Sequence, residues 1–170
     1  AALLSTAETT AMVFMIFLGA DMMNATLALT EMPKMVALWV SGLPVAPLGI
    51  VTAVLILYIV LGCVMDELSM LLLTIPVIFP AVMALDLWGL TYELKALWFG
   101  ILVLMTVSFG LIAPPVGLNV YVVNSLARDV PMSETYKGLM PFLVWDIGRL
   151  VVLLLVPTLS LWLVGQLFTR

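Results

Sequence analysis

The chain has 170 residues, of which 65% are hydrophobic and 9% charged, with a mean hydropathy of +1.29; a soluble domain carries about a quarter charged residues, so water is not this chain's main solvent. With no histidine and one cysteine, Cys63, it lacks an internal disulfide, the usual haem ligands and most zinc chemistry. The net charge of −4 comes from few residues in scattered loops, and no basic stretch points to nucleic acid.

A spanning helix needs about 20 mostly apolar residues, and such runs recur here to the last residues, separated by short loops that hold most of the charges. Neither a signal peptide nor a single anchor explains that pattern. The sequence opens at Ala1 rather than a methionine and runs from residues 1–7 straight into an apolar stretch, which reads as a fragment or processed piece. The expected fold is an all-α polytopic membrane protein in a single membrane domain.

The first expected span covers 9–29 and is closed by Glu31, Pro33 and Lys34; Asp21 and Asn24 share one of its faces, three residues apart. A short apolar stretch with Trp39, at 32–43, fits an interfacial helix on the lipid bilayer. Residues 45–65 are long enough to cross, yet Asp66 and Glu67 follow at once, and a short apolar arm with Pro76 and Pro80 runs to 85. A re-entrant hairpin over 45–85 accounts for both facts. Its acidic tip is tolerable at membrane depth only if it is buried in protein or lines a wet cavity.

After a loop at 86–95, the apolar stretch 97–126 is interrupted by Phe109-Gly110-Leu111-Ile112-Ala113-Pro114-Pro115-Val116-Gly117. The prolines remove two amide donors and the glycines permit unusual backbone angles, so a broken helix is expected. The last span is placed at 139–167, with Asp146 and Arg149 three apart as a self-neutralising pair. A hairpin returns both its ends to one side, which puts Trp39, Trp88, Trp98 and Trp162 in one aromatic belt and Arg128, Tyr136 and Lys137 on the other face. The positive-inside rule makes the face with Arg128 and Lys137 cytoplasmic, although Lys34, Lys95 and Arg170 oppose it.

Transporters bind substrates and ions at discontinuous helices near the midplane. At the break, the carbonyls of Gly110, Leu111 and Ile112 end one half-helix and favour a cation. Pro115 suits a first helical position, so the amides of Val116, Gly117 and Leu118 face an anion. Asp66 is the sharpest single residue, because a carboxylate at the bilayer centre costs about 2.5–3.5 kcal/mol on insertion scales unless neutralised, and a sodium ion does that. Its bland alternative is a helix cap in a wet position. Ser69 and Thr74 add hydroxyls, though membrane hydroxyls more often bond their own backbone. The candidate sodium ligands are therefore Asp66, Ser69, Gly110, Leu111 and Ile112, and the candidate substrate residues Pro114, Pro115, Val116, Gly117 and Asn119. Asn124 and Ser125 suit interhelical hydrogen bonds.

The order of these features resembles the large membrane subunit of TRAP transporters, the tripartite ATP-independent periplasmic carriers. The resemblance covers essentially the whole chain. It rests on Thr9-Thr10-Ala11-Met12, on Gly62-Cys63-Val64-Met65-Asp66 with Leu73-Thr74-Ile75-Pro76, on Trp98-Phe99-Gly100-Ile101, and on the stretch from Gly110 to Asn119. It implies the second of two inverted repeats in an elevator-type transporter. It further implies uptake of a carboxylate or other organic acid with Na+, delivery by a periplasmic substrate-binding protein, a small membrane subunit as companion, and residence in a bacterial or archaeal inner membrane. Ala113 stands where that family often has threonine before the two prolines. The competing readings are a structural or anchoring membrane subunit and an intramembrane enzyme, which would need a nucleophile with a base or a metal cluster and finds here no histidine and no paired intramembrane aspartates of the required kind.

Overall fold

The computed structural model describes residues 2–113, 117–126 and 130–168. Among them are eight helices and no strand: α1 (Ala2–Leu29), α2 (Met32–Ser41), α3 (Pro47–Gly62), α4 (Glu67–Met83), α5 (Tyr92–Gly110), α6 (Leu118–Leu126), α7 (Met132–Leu155) and α8 (Pro157–Phe168). Three of them, α1, α5 and α7, are long and apolar enough to cross a membrane. The chain is a helical membrane protein, and it divides into two compact units.

The first unit comprises Ala1–Val45 with Leu68–Leu85. Its α1 has 28 residues, about 42 Å at 1.5 Å per residue, more than the roughly 30 Å of a hydrocarbon core. Phe14, Leu18 and Met22 are exposed on it and only Ala20 is buried, the surface of a helix made for lipid or further protein. The chain reverses at Glu31, which takes a left-handed φ of 52°. Pro33 then falls at the start of α2, where its missing amide would have had no partner anyway. α2 packs on α1 and closes at Gly42, whose amide donates to the carbonyls of Leu38 and Trp39. In α4 the helix continues through Pro76 and Pro80, and Thr74 Oγ1 bonds its own backbone at Met70 O, 2.7 Å away.

The second unit, Ala46–Glu67 with Asp86–Arg170, is organised around α5, which packs on α3, α7 and α8. The loop ahead of α5 is shorter than the interval 86–95, because Thr91 is already the N-cap. Lys95 lies in the first turn of the helix and is buried. Along α5 the buried residues are Lys95, Trp98, Phe99, Leu102, Val103, Thr106, Val107 and Gly110, a stripe at alternating spacings of three and one that keeps to one face of the helix. α3 answers with Val51, Leu55, Tyr58 and Gly62.

That stripe narrows to glycine on both helices. A Cβ at Gly110 would lie 2.9 Å from the Gly62 Cα, and one at Gly62 would lie 3.1 Å from the Gly110 Cα. α3 and α5 therefore meet backbone to backbone at their carboxyl ends, a closeness that only small residues allow.

Two expectations are corrected here. Trp98 does not belong to an interfacial belt: it is fully buried, and its indole donates to the Leu153 carbonyl at 2.9 Å. The stretch 139–167 is not one continuous helix, because α7 ends at Leu155, Val156 takes φ −123° and ψ 77°, and α8 starts at Pro157. A proline has no amide to continue the ladder, which accounts for the interruption. The Asp146–Arg149 pair does form, with Arg149 Nη2 2.8 Å from Asp146 Oδ1.

Gly110→Ala is expected to destabilise the purified full-length protein by about 1–3 kcal/mol, since backbone must move to admit the methyl group. Gly100→Ala on the same helix meets open space and should be neutral or gain up to about 1 kcal/mol from helix propensity. Thermal unfolding in detergent distinguishes the two; equal effects would contradict the backbone contact.

Candidate functional site

Where α3 and α5 end together, two sets of helix-terminal carbonyls converge. Each helix carboxyl end carries the equivalent of about half a negative charge, and neither last turn contains a basic residue to offset it. The chain leaves α3 through a tight turn, with the amides of Val64 and Met65 both donating to Leu61 O. Within that turn the Cys63 thiol reaches the Ala113 carbonyl across a gap of 3.8 Å. Asp66, three residues further on, is exposed and stands immediately before the first residue of α4.

On the α5 side, the helix unwinds over Leu111, Ile112 and Ala113, whose amides still bond back to Val107 O, Phe109 O and Phe109 O. The prolines decide what happens to the carbonyls. In a continuous helix, Gly110 O would accept from residue 114 and Leu111 O from residue 115, and both positions are proline without an N–H. The Leu111 oxygen is met instead by the amide of Asn119, 3.2 Å away, in the first turn of α6.

α6 begins beyond Gly117, whose φ is +52°, a left-handed value that glycine adopts at no steric cost. Space demands glycine there as well. A Cβ would stand 2.9 Å from the Tyr136 hydroxyl, 3.2 Å from Ile112 O and 3.4 Å from Ala113 O. Thr135, beside Tyr136 on α7, donates to Asn124 Oδ1 of α6 at 2.6 Å, the interhelical bond expected for Asn124. Ser125 instead bonds its own backbone at Val122 O, 2.6 Å away, so its expected interhelical role is corrected.

The candidate residues Gly110, Leu111, Ile112, Gly117 and Asn119 thus fall in one compact locus, with the Asn119 side chain exposed. The Cys63 thiol connects the turn after α3 to the same locus at Ala113, and Asp66 follows Cys63 by three residues. Ser69 is half-buried in the first turn of α4, in the other unit. Pro114, Pro115 and Val116 lie outside the described residues. Three contributors were not singled out from sequence: Gly62, Cys63 and Tyr136. Gly62 carried a signal, since it continues the stripe Val51–Leu55–Tyr58, whereas nothing local relates Tyr136 to a turn nineteen residues earlier.

Comparison with known proteins places the chain in a family. The family model described as the tripartite ATP-independent periplasmic transporter, DctM component, matches residues 1–159. The chain belongs to that family. It is 28% identical over 159 residues to the C4-dicarboxylate TRAP transporter large permease protein DctM of Pseudomonas aeruginosa, covering 94% of this chain and 35% of the relative. It is 27% identical over 139 residues to the sialic acid TRAP transporter large permease protein SiaM of Vibrio cholerae, covering 82% and 31%. With the 2,3-diketo-L-gulonate TRAP transporter large permease protein YiaN of Escherichia coli it shares 25% identity over 157 residues, covering 92% and 35%. The chain spans about a third of the length of these TRAP relatives. They are named as permeases, not enzymes. No solved structure matches the chain.

Gly117→Ala should destabilise the purified full-length protein by at least the left-handed backbone cost of about 1–2 kcal/mol, with the crowding adding to it. Adding Tyr136→Phe removes the nearest atom and should restore part of the loss but not all, because the backbone angle and the Ile112 carbonyl remain. An unchanged melting temperature for the single variant in detergent would show that the turn is not constrained as described.

Proposed function

We propose that this chain supplies part of the coupling site of a sodium-dependent uptake system for an organic acid. The observation that carries the reading is the convergence of the α3 and α5 carboxyl ends at Gly62 and Gly110, with no basic residue in either last turn. Two helix ends and the nearby Asp66 carboxylate together favour a small cation at that point. The amino end of α6, beginning beyond Gly117, lies on the other side of the same break and suits a carboxylate. One interruption thereby serves both charges, which is the electrical requirement for symport of an anion with sodium.

The lengths of the two arms fit a hairpin that enters the membrane without crossing it. α3 has 16 residues and α4 has 17, about 24–26 Å each, short of a roughly 30 Å core. We read them as the re-entrant hairpin, α5 and α6 as the broken helix, and the chain as the second inverted repeat of an elevator-type carrier. The relatives are named for C4-dicarboxylates, sialic acid and 2,3-diketo-L-gulonate, all organic acids, and this supports the same class of substrate here. In that reading the working transporter resides in a bacterial or archaeal inner membrane, receives its substrate from a periplasmic binding protein and includes a small membrane subunit.

The test is uptake by the complete complex in proteoliposomes with its binding protein, under an inward sodium gradient. Asp66→Ala is expected to abolish sodium-dependent uptake, a loss of at least a hundredfold, while the variant still assembles. Unchanged uptake and unchanged sodium dependence would remove Asp66 from the site.

A further inference from the structure

A further proline, Pro157, leaves another carbonyl without its helical partner, and here a side chain from another helix supplies the donor. In a continuous helix the Leu153 oxygen would accept from the amide of residue 157, which is proline. The indole Nε1–H of Trp98 donates to that oxygen at 2.9 Å instead. Trp98 lies on α5 and is fully buried, and Trp88 meets it edge-on, with ring centroids 5.5 Å apart and planes at 90°. Leu154 and Leu161, on either side of the α7–α8 break, are buried as well. An indole N–H in a dry setting needs an acceptor as much as an orphaned carbonyl needs a donor.

We propose that Trp98 is a positioning residue whose hydrogen bond to Leu153 latches the bend between α7 and α8 onto α5. The latch sits twelve residues before Gly110, about 18 Å along the helix. α5 carries the candidate site at its carboxyl end, so the latch sets where that end stands relative to α7, the helix that also contributes Tyr136 at Gly117. The transport consequence rests on the proposed function; the latch itself does not.

The pairing of a donor with a missing amide makes a reciprocal test available in the complete permease complex. Trp98→Phe removes the N–H, and Pro157→Ala provides an amide that the Leu153 carbonyl can use. Trp98→Phe should lower the melting temperature and reduce the maximal uptake rate about three- to tenfold, the scale of one lost, part-buried hydrogen bond. The sodium and substrate half-saturation values should stay within about twofold. In a Pro157→Ala background the same substitution should lower the melting temperature by less than half as much. Where Trp98→Phe fails to assemble, the isosteric benzothiophene analogue of tryptophan at position 98, which keeps the rings and lacks the N–H, takes its place in both backgrounds. Equal destabilisation in the two backgrounds would overturn the latch. If the stability coupling is found but no sodium-dependent uptake is, the latch stands and the transport reading falls.

Discussion

A backbone carbonyl that loses its helical amide to proline must find another partner wherever water is scarce, and much of this structure follows from how such carbonyls are met. At Leu111 the new partner is the amide of Asn119, which fixes the start of α6 against the end of α5. At Leu153 it is the indole of Trp98, which joins two helices far apart in sequence. In both places the break in one helix becomes a contact between elements, so an interruption that weakens a helix alone strengthens the packing around it. The Gly110 carbonyl belongs to the same set, because residue 114 offers it no amide, and it stands where α3 delivers its own carboxyl end.

The second constraint is the size of the residues where α3 and α5 cross. Large side chains fill the stripe above the crossing, with Tyr58, Trp98, Phe99 and Leu102 fully buried or nearly so, and glycine on both helices lets the backbones touch below it. Close approach of two helix carboxyl ends is electrostatically unfavourable unless something positive lies between or beside them. The packing therefore brings about an electrostatic need that a cation would satisfy, and this is the ground on which the proposed coupling site rests. Structure and chemistry meet at the level of two glycines and a pair of prolines.

Much of this was legible in the sequence because it is written in short-range terms. The apolar runs, the turn at Glu31, the acidic residues between two short arms and the glycine–proline interruption each announce themselves within a few residues. The Asp146–Arg149 pair is equally local. What escaped reading depends on distant partners. Trp98 looked like an interfacial tryptophan because aromatic residues near the ends of apolar runs usually are, and only the α7–α8 break, brought to it by folding, gives its indole an acceptor. The break at Val156 itself was readable from Pro157, but it lay within a run apolar enough to pass for one span. Gly62 and Tyr136 acquire their meaning from Gly110 and Gly117, which no local pattern connects to them.

The most direct measurement is whether sodium occupies the convergence of α3 and α5. Cys63 reports on it, because its thiol lies at the Ala113 carbonyl beside the paired glycines. In the full-length permease with Cys63 as the sole thiol, the alkylation rate should fall as sodium is raised, with the same half-saturation as uptake, and should not fall with potassium at equal ionic strength. Alkylation that proceeds at one rate in sodium and potassium would contradict a sodium ion at this place.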